Sequence, residues 1–373
     1  MKVNSIPPRI VLTGGHAATP ALGTVEETLA RQKDWKLYWI GPNSAMETAK
    51  IATAAEKTLH EYGVVIRKIV AGRALRRGHP FTLLKAYLKI PFGFVHAFWE
   101  VVKIRPQAVV SFGGFAALPV VFSSWLMRIP VIIHEQITGA GLANKISSPF
   151  AKKIAVARGE SLKFFPKGKT QVIGNPQVAK FFNISRKPTI GKPPTLFITG
   201  GSSGSQIINE VVKKLLNRLL KDYFVIQQTG ENNLEEFLDL KVGLQKTSQD
   251  RYEVFGYANP KDMADFFSKA DIIISRAGAN TVSDIVASLR PAILIPIPWS
   301  IGDEQTKNAQ RAQETGLVTI IKQDDLTEEK LMTEITRLKA NWQEIVDAAN
   351  TSGYDLDKYA SQKLVDLIEG VLI

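Results

Sequence analysis

The stretch D-I-I-I-S-R-A-G-A-N-T-V-S-D-I-V-A-S-L-R-P-A-I-L-I-P-I-P-W-S-I-G-D-E-Q-T-K-N, Asp271–Asn308, decides how the rest of the chain is read. Ile272–Ile274 is a β-branched apolar run of strand length. It empties into a tight turn, Arg276-Ala277-Gly278-Ala279, and a helix is expected from about Asn280. The helix should stop near Arg290-Pro291, because proline disfavours helical geometry in the residue before it. A second strand should then run over Ala292–Pro296. Strand, glycine turn, helix and strand form the repeating unit of a parallel α/β sheet. Ligands of such sheets sit at the carboxyl ends of the strands, against helix N-termini.

The turn carries the chemistry. The N–H groups of Ala279, Asn280 and Thr281 point out of the helix start, with Val282 and Ser283 continuing the same surface. Together with the helix dipole they suit a diphosphate, and Gly278 lets the ligand approach the backbone. Asp284 lies one helical turn further on. A carboxylate repels phosphate unless it serves an adjacent group, and ribose hydroxyls are the candidate, as in dinucleotide folds. An ordinary helix with an acid stabilising its first turn reads the same way. Gln305 and Asn308 are three apart, so they share a helix face on which sugar hydroxyls can be held.

The chain has 373 residues, which makes two domains the natural expectation. Hydrophobic content of 45% and charged content of 22% belong to a globular protein. The absence of cysteine excludes disulfides, thiolate catalysis and zinc–sulfur sites, and five histidines leave little for a metal centre. Met1–Leu12 lacks the apolar core of a signal peptide, and no run approaches the ~20 apolar residues of a spanning helix. A cytosolic, reducing location is expected. The net charge of +12 calls for an anionic partner: nucleic acid, a membrane surface or a phosphorylated substrate. No nucleic-acid-binding motif accompanies the charge, so no nucleic-acid partner is expected.

Further glycine turns lie between strands and helices. The strand Arg9–Leu12 leads into Thr13-Gly14-Gly15-His16, then a helix Pro20–Gln32 and a strand Leu37–Ile40. The strand Ala108–Ser111 leads into Phe112-Gly113-Gly114-Phe115 and a helix to about Leu126; Pro130–Ile133 follows, with His134-Glu135-Gln136 at its end. After the loop Arg186–Pro194, the strand Leu196–Thr199 leads into Gly200-Gly201-Ser202-Ser203-Gly204 and a helix from Gln206. Strands Phe224–Gln228, Tyr252–Phe255 and Leu317–Ile321, and helices Glu328–Ala340 and Tyr354–Ile373, complete an α/β alternation. At the first turn, His16 is placed to take a proton near pH 7, or simply to pack the loop. Asp355-Leu356-Asp357 looks like a D-x-D metal motif, but N-terminal capping of the helix behind it explains it better.

Residues 73–105 have their own composition. Arg73, Arg76, Arg77, Lys85, Lys89, Lys103 and Arg105 face only Glu100, and aromatic and aliphatic residues from Phe81 to Trp99 lie between them. A helix or helical hairpin in an anionic membrane interface fits this pattern, with Pro80 and Pro91 keeping the segments short. A core helix with a solvated basic face is the alternative.

R-A-G-A-N-T-V-S-D followed by D-E-Q-T-K-N-A resembles the donor-site signature of the MurG family. H-E-Q at His134–Gln136, G-L-A-N-K at Gly141–Lys145 and the three glycine turns occur in that family's order. The resemblance implies a GT-B architecture, α/β, with two Rossmann-like parallel-sheet domains facing across a cleft. Residues 1–175, joined by the helix 354–373, would face acceptor and membrane, and 176–353 would bind the UDP-sugar. The implied activity is inverting transfer of N-acetylglucosamine from UDP-N-acetylglucosamine to the muramyl-pentapeptide diphosphate-undecaprenyl lipid of peptidoglycan synthesis, at the cytoplasmic face of the membrane. His16 would be the general base. Thr13, Gly14, Gly15, Ser202, Asp284, Gln305 and Asn308 would join Ala279–Ser283 on the donor, with uracil near Tyr257 and Ala258. Gly113, Gly114, His134, Glu135 and Asn144 would serve the acceptor, whose diphosphate Gly14 and Gly15 also face. Helix N-termini hold the leaving group, so no metal or other cofactor is required. Asp284 stands where the family usually has Glu, Ile137 where it has Asn, and Val178 where it has Arg, with Lys180 as a candidate replacement. A transferase of the same fold with another acceptor, or a non-catalytic nucleotide-sugar binder, is the alternative. The first turn lacks the G-x-G-x-x-G of an NAD(P) oxidoreductase.

Overall fold

Short β-branched runs, apolar on both faces, become the strands of two parallel sheets covered by helices on each side. The computed structural model describes residues 7–15, 18–43, 56–70 and 80–372. The chain divides into unit 1, Met1–Val178 with Leu356–Ile373, and unit 2, Ala179–Asp355.

Among the described residues, unit 1 holds β1 (Arg9–Thr13), β2 (Lys36–Pro42), β3 (Val65–Ile69), β4 (Ala108–Ser111), β5 (Val131–Glu135), β6 (Lys153–Val156) and β7 (Thr170–Val172). Their order is β3-β2-β1-β4-β5-β6-β7, every pairing parallel. Val11, Val109, Val131 and Ile133 pack with Ala97 and Val101 of the helix Pro80–Ile104 and with Val120 and Val121 of the helix Ala117–Leu126. The helix Asp357–Leu372 returns to unit 1 beside the helix Ala18–Ala30, where Lys33 pairs with Glu369 at 2.9 Å.

Unit 2 holds β8 (Thr195–Thr199), β9 (Phe224–Gln228), β10 (Tyr252–Phe255), β11 (Ile272–Ser275), β12 (Ala292–Leu294) and β13 (Val318–Ile320), in the order β10-β9-β8-β11-β12-β13, again all parallel. Leu196, Ile198, Ile272, Ile274 and Ile293 bury one face against Val212, Leu216 and Leu219 of the helix Gln206–Asp222 and Leu331 and Ile335 of the helix Glu328–Ala340. On the other face Phe197 meets Phe266 and Phe267 at 5.8 and 5.4 Å.

Strand order reverses direction between β1 and β4 in one sheet and between β8 and β11 in the other. At such switch points the loops diverge to opposite faces and leave a crevice for a ligand. All four glycine turns singled out in the sequence leave from these four strands. One expectation is corrected. Pro91 does not divide the basic segment, because a single helix runs from Pro80 to Ile104 with Pro91 inside it. Pro91 lies on the exposed face, where water can take the carbonyl that the ring leaves unbonded.

Candidate functional site

In unit 2, Thr199 at the end of β8 lies opposite Ser275 at the end of β11. The loop after β8 opens the helix Gln206–Asp222, and the loop after β11 opens the helix Ala279–Ser288. Neither helix is capped by a side chain among the described residues: Gly278 has none, and Ser205 is turned to Arg276, whose Nε donates to its Oγ at 3.0 Å. Two first turns of N–H groups therefore open at the switch point, which is a setting for an anion. Thr199 fixes the first loop, donating to Gln228 Oε1 at 2.6 Å and accepting from Gly201 N at 2.9 Å, with Ser202 exposed at its rim.

Gln305 and Asn308 lie on the helix Glu304–Gln313 and both grip the Arg276–Gly278 turn. Gln305 Oε1 accepts from Ala277 N at 3.3 Å and Ile297 N at 3.1 Å, and Asn308 Nδ2 donates to Ala277 O at 3.2 Å. The shared helix face thus positions the turn first, and the Gln305 NH2 group is what remains for a ligand. Asn280 and Thr281 are half-buried, while Val282, Ser283 and Asp284 are buried, Asp284 with 8% of its surface exposed. Tyr257 and Ala258 follow β10 and are half-buried. Burial, with Asp262 as a lesser cause, pushes the Tyr257 phenol up to about 12, so it stays a neutral donor.

In unit 1 the two glycine turns are bonded to each other. Phe112 N donates to Thr13 O at 2.8 Å and Gly15 N to Gly113 O at 3.0 Å, while the buried Thr13 hydroxyl donates to Ile40 O at 2.8 Å. Gly113 and Gly114 have φ of +81° and +88°, and a Cβ on Gly114 would meet Gly15 N at 2.8 Å. Backbone alone fits between the turns, and Gly14 would bring its Cβ against Trp39 at 3.1 Å. His16 lies outside the described residues.

The end of β5 is more enclosed than its motif suggests. His134 is wholly buried, with Nε2 3.1 Å from Gly174 O; that nitrogen carries the proton, and Nδ1 has no partner among the described residues. Burial lowers the ring's pKa from 6.5 to about 4, so the ring is neutral. Glu135 is equally buried and accepts from Gly141 N at 2.7 Å, Asn144 Nδ2 at 3.1 Å and Ile137 N at 3.2 Å. Burial pushes its carboxyl up, and these bonds pull it down. Asn144 also donates to His134 O at 3.2 Å and lies directly under Gly113, where an added Cβ would meet its Nδ2 at 2.9 Å. Glu135 and Asn144 therefore shape the loop below the second glycine turn.

Asp357 stands in the first turn of the helix Asp357–Leu372, as its place in the sequence suggests, and is also a buried ion-pair residue, bound at both oxygens by Arg158 at 2.6 and 2.7 Å and accepting from Asn175 N at 2.8 Å. Val178 is buried, and Lys180 is paired with Asp265 at 2.8 Å. Among the described residues no group of three or more histidines and acids is placed to hold a metal. The role of Arg276 is not legible in its local sequence. Its partners Ser205, Ile295 and Gln323 lie on three distant segments, and no local pattern announces them.

Residues 13–156 match the glycosyltransferase family 28 N-terminal domain, and residues 195–366 match the glycosyltransferase family 28 C-terminal domain. The chain is 31% identical over 343 residues to a Bacillus cereus protein named UDP-N-acetylglucosamine–N-acetylmuramyl-(pentapeptide) pyrophosphoryl-undecaprenol N-acetylglucosamine transferase 2, covering 89% of this chain and 92% of that one. A Clostridium kluyveri protein, a transferase of the same name without the numeral, is 31% identical over 373 residues, covering 97% and 99%. The crystal structure of Acinetobacter baumannii MurG superposes with a TM-score of 0.66 at 26% identity, covering 98% of this chain and 100% of that one.

Proposed function

We propose that this chain, which belongs to the MurG family within glycosyltransferase family 28, transfers N-acetylglucosamine from UDP-N-acetylglucosamine to the muramyl-pentapeptide diphosphate-undecaprenyl lipid. The observation that carries this reading is the pair of uncapped helix N-termini at the β8–β11 switch point, beside the R-A-G-A turn that Gln305 and Asn308 hold. A nucleoside diphosphate matches that floor in charge and length. Its ribose is assigned to Asp284, its uracil to the Tyr257–Ala258 segment, and its sugar to the Gln305 NH2 group. On unit 1 the backbone of Gly14, Gly15, Gly113 and Gly114 takes the acceptor's diphosphate, and Glu135 and Asn144 keep those turns in shape from below.

In the reaction His16 removes the proton from the acceptor's sugar hydroxyl as its oxygen attacks the anomeric carbon. The bond to the UDP oxygen breaks on the opposite face, which inverts the anomeric configuration. The electron pair leaves with the diphosphate, where the helix N-termini offset the growing charge. Neither step calls for a metal.

The acceptor's tail stays in the bilayer, so the enzyme works at the membrane surface, on its cytoplasmic face. Among the described residues no helix is long and apolar enough to cross a membrane. Phe92, Val95 and Trp99 instead line one face of the helix Pro80–Ile104 with 70, 57 and 55% of their surface exposed, and Trp125 and Leu126 are exposed on the adjoining helix. Aromatic rings beside lysines and arginines suit the headgroup layer of anionic lipid. Arg73, Arg76 and Arg77 lie outside the described residues. The deciding experiment is a transfer assay with labelled UDP-N-acetylglucosamine and the muramyl-pentapeptide lipid. Labelled disaccharide lipid is expected; a protein that binds UDP but yields no product would refute the reading.

A further inference from the structure

Unit 2 buries two arginines, and their surroundings are opposite. Arg290 donates to the carbonyls of Ser288, Ser268 and Ser185, at 2.7, 3.4 and 3.2 Å. Ser288 and Ser268 lie in the last turns of their helices, and Asp271 is close enough to favour the charge. That guanidinium sits at negative helix ends. Arg276 sits at positive ones. It is 8% exposed, under the starts of the helices Gln206–Asp222 and Ala279–Ser288, and its partners are all neutral. Nε donates to Ser205 Oγ at 3.0 Å, Nη1 to Ile295 O at 3.0 Å and Nη2 to Gln323 Oε1 at 2.9 Å. Among the described residues no carboxylate pairs with it.

A buried cation beside two positive helix ends is unfavourable in the empty protein. We propose that Arg276 is the fixed counter-charge of the donor's diphosphate, a positioning residue that holds both loops of the β8–β11 switch point and attracts the phosphates through the loop backbone. This inference rests on the donor reading above. Its three tethers spend every nitrogen on neutral acceptors, so the guanidinium keeps its place whether or not the anion is present. The charge is therefore pre-organised, and binding needs no rearrangement of the side chain. It also makes the site selective for the charged part of the ligand over the nucleoside.

The test uses the full chain and two probes, UDP and uridine, by titration calorimetry. Gln323→Glu changes one atom and sets a carboxylate against Nη2, neutralising the charge without removing the arginine. The UDP dissociation constant is expected to rise about tenfold, uridine binding to stay within twofold, and the melting temperature of the unliganded protein to hold or rise, since a buried cation gains a partner. Arg276→Gln should produce the same selective loss, and Arg276→Lys should keep the UDP-to-uridine ratio within about threefold. Equal weakening of UDP and uridine in Gln323→Glu, or unchanged UDP affinity, would overturn the inference. A wild-type protein that binds neither probe would instead bring down the donor reading, and this inference with it.

Discussion

His134 should make unit 1 acid-sensitive in a way that one substitution removes. Its ring is wholly buried, and burial, helped by Arg158, lowers its pKa from 6.5 to about 4 against the opposing pull of Gly174 O and Asp357. A histidine with a depressed folded pKa contributes stability that is present above the unfolded pKa. That stability is lost as pH falls through 6.5 toward about 4, because the unfolded chain takes up the proton first. At 1.36 kcal/mol per pKa unit the whole window is worth about 3 kcal/mol. For a domain of this size that is about 6–12 °C in melting temperature. His134→Gln supplies an amide N–H that can reach Gly174 O and does not titrate. Scanning calorimetry from pH 7.5 to 4.5 should show wild type losing most of that amount relative to His134→Gln, in the transition that belongs to unit 1. Parallel melting curves for the two proteins across this range would mean that the ring titrates normally in the folded chain, and the burial argument would fail.

Three more outcomes are expected. Asp284→Ala should weaken UDP-N-acetylglucosamine binding by about 1.5–3 kcal/mol, the range for a charged hydrogen bond, while the circular dichroism spectrum stays that of wild type; unchanged calorimetric affinity would return Asp284 to a plain helix-stabilising role. His16→Ala should lower turnover by roughly 10²–10⁴, the usual weight of general base catalysis, with donor affinity nearly intact, and a wild-type turnover would exclude it as the base. Replacing Phe92, Val95 and Trp99 by Ser should reduce co-sedimentation with anionic vesicles, most clearly at high salt where only apolar insertion survives, while UDP affinity persists; sedimentation equal to wild type would place the attachment elsewhere.

The parts of the fold most legible in the sequence were those that owe their character to burial on both sides. Ala108–Ser111 and Phe224–Gln228 occupy their expected bounds because a buried parallel strand must be apolar throughout or bond its polar groups within the sheet; Tyr252–Phe255 lies at a sheet edge with Glu253 exposed and is legible instead through its aromatic and β-branched residues. Val65–Ile69 and Thr170–Val172 escaped notice because they are edge strands, where solvent permits Arg67, Lys68 and Gln171. Thr319 likewise sits in an edge strand, but the apolar run around it is long enough to register. Within the site, the second glycine turn was legible because Gly113 and Gly114 take positive φ and a Cβ on Gly114 would run into the backbone of Gly15. Side-chain duties were not. Gln305 and Asn308 share a face as their spacing requires, yet the backbone of Ala277 is what that face meets, and only the folded chain brings the two together.

The buried pair of Arg158 and Asp357 bears on the order in which the protein can be made. Unit 2 is one continuous run of chain, whereas unit 1 includes residues from both sides of it. During synthesis the sheet of unit 1 emerges first but must wait, with Arg158 lacking its carboxylate and the helix Ala18–Ala30 lacking its neighbour, until Leu356–Ile373 has left the ribosome. Unit 2, though later in sequence, has all of its strands in hand before that moment. The first half of the protein is thus the last to close, and a released chain that stopped at Asp355 would have all of unit 2 but a unit 1 without its final helix.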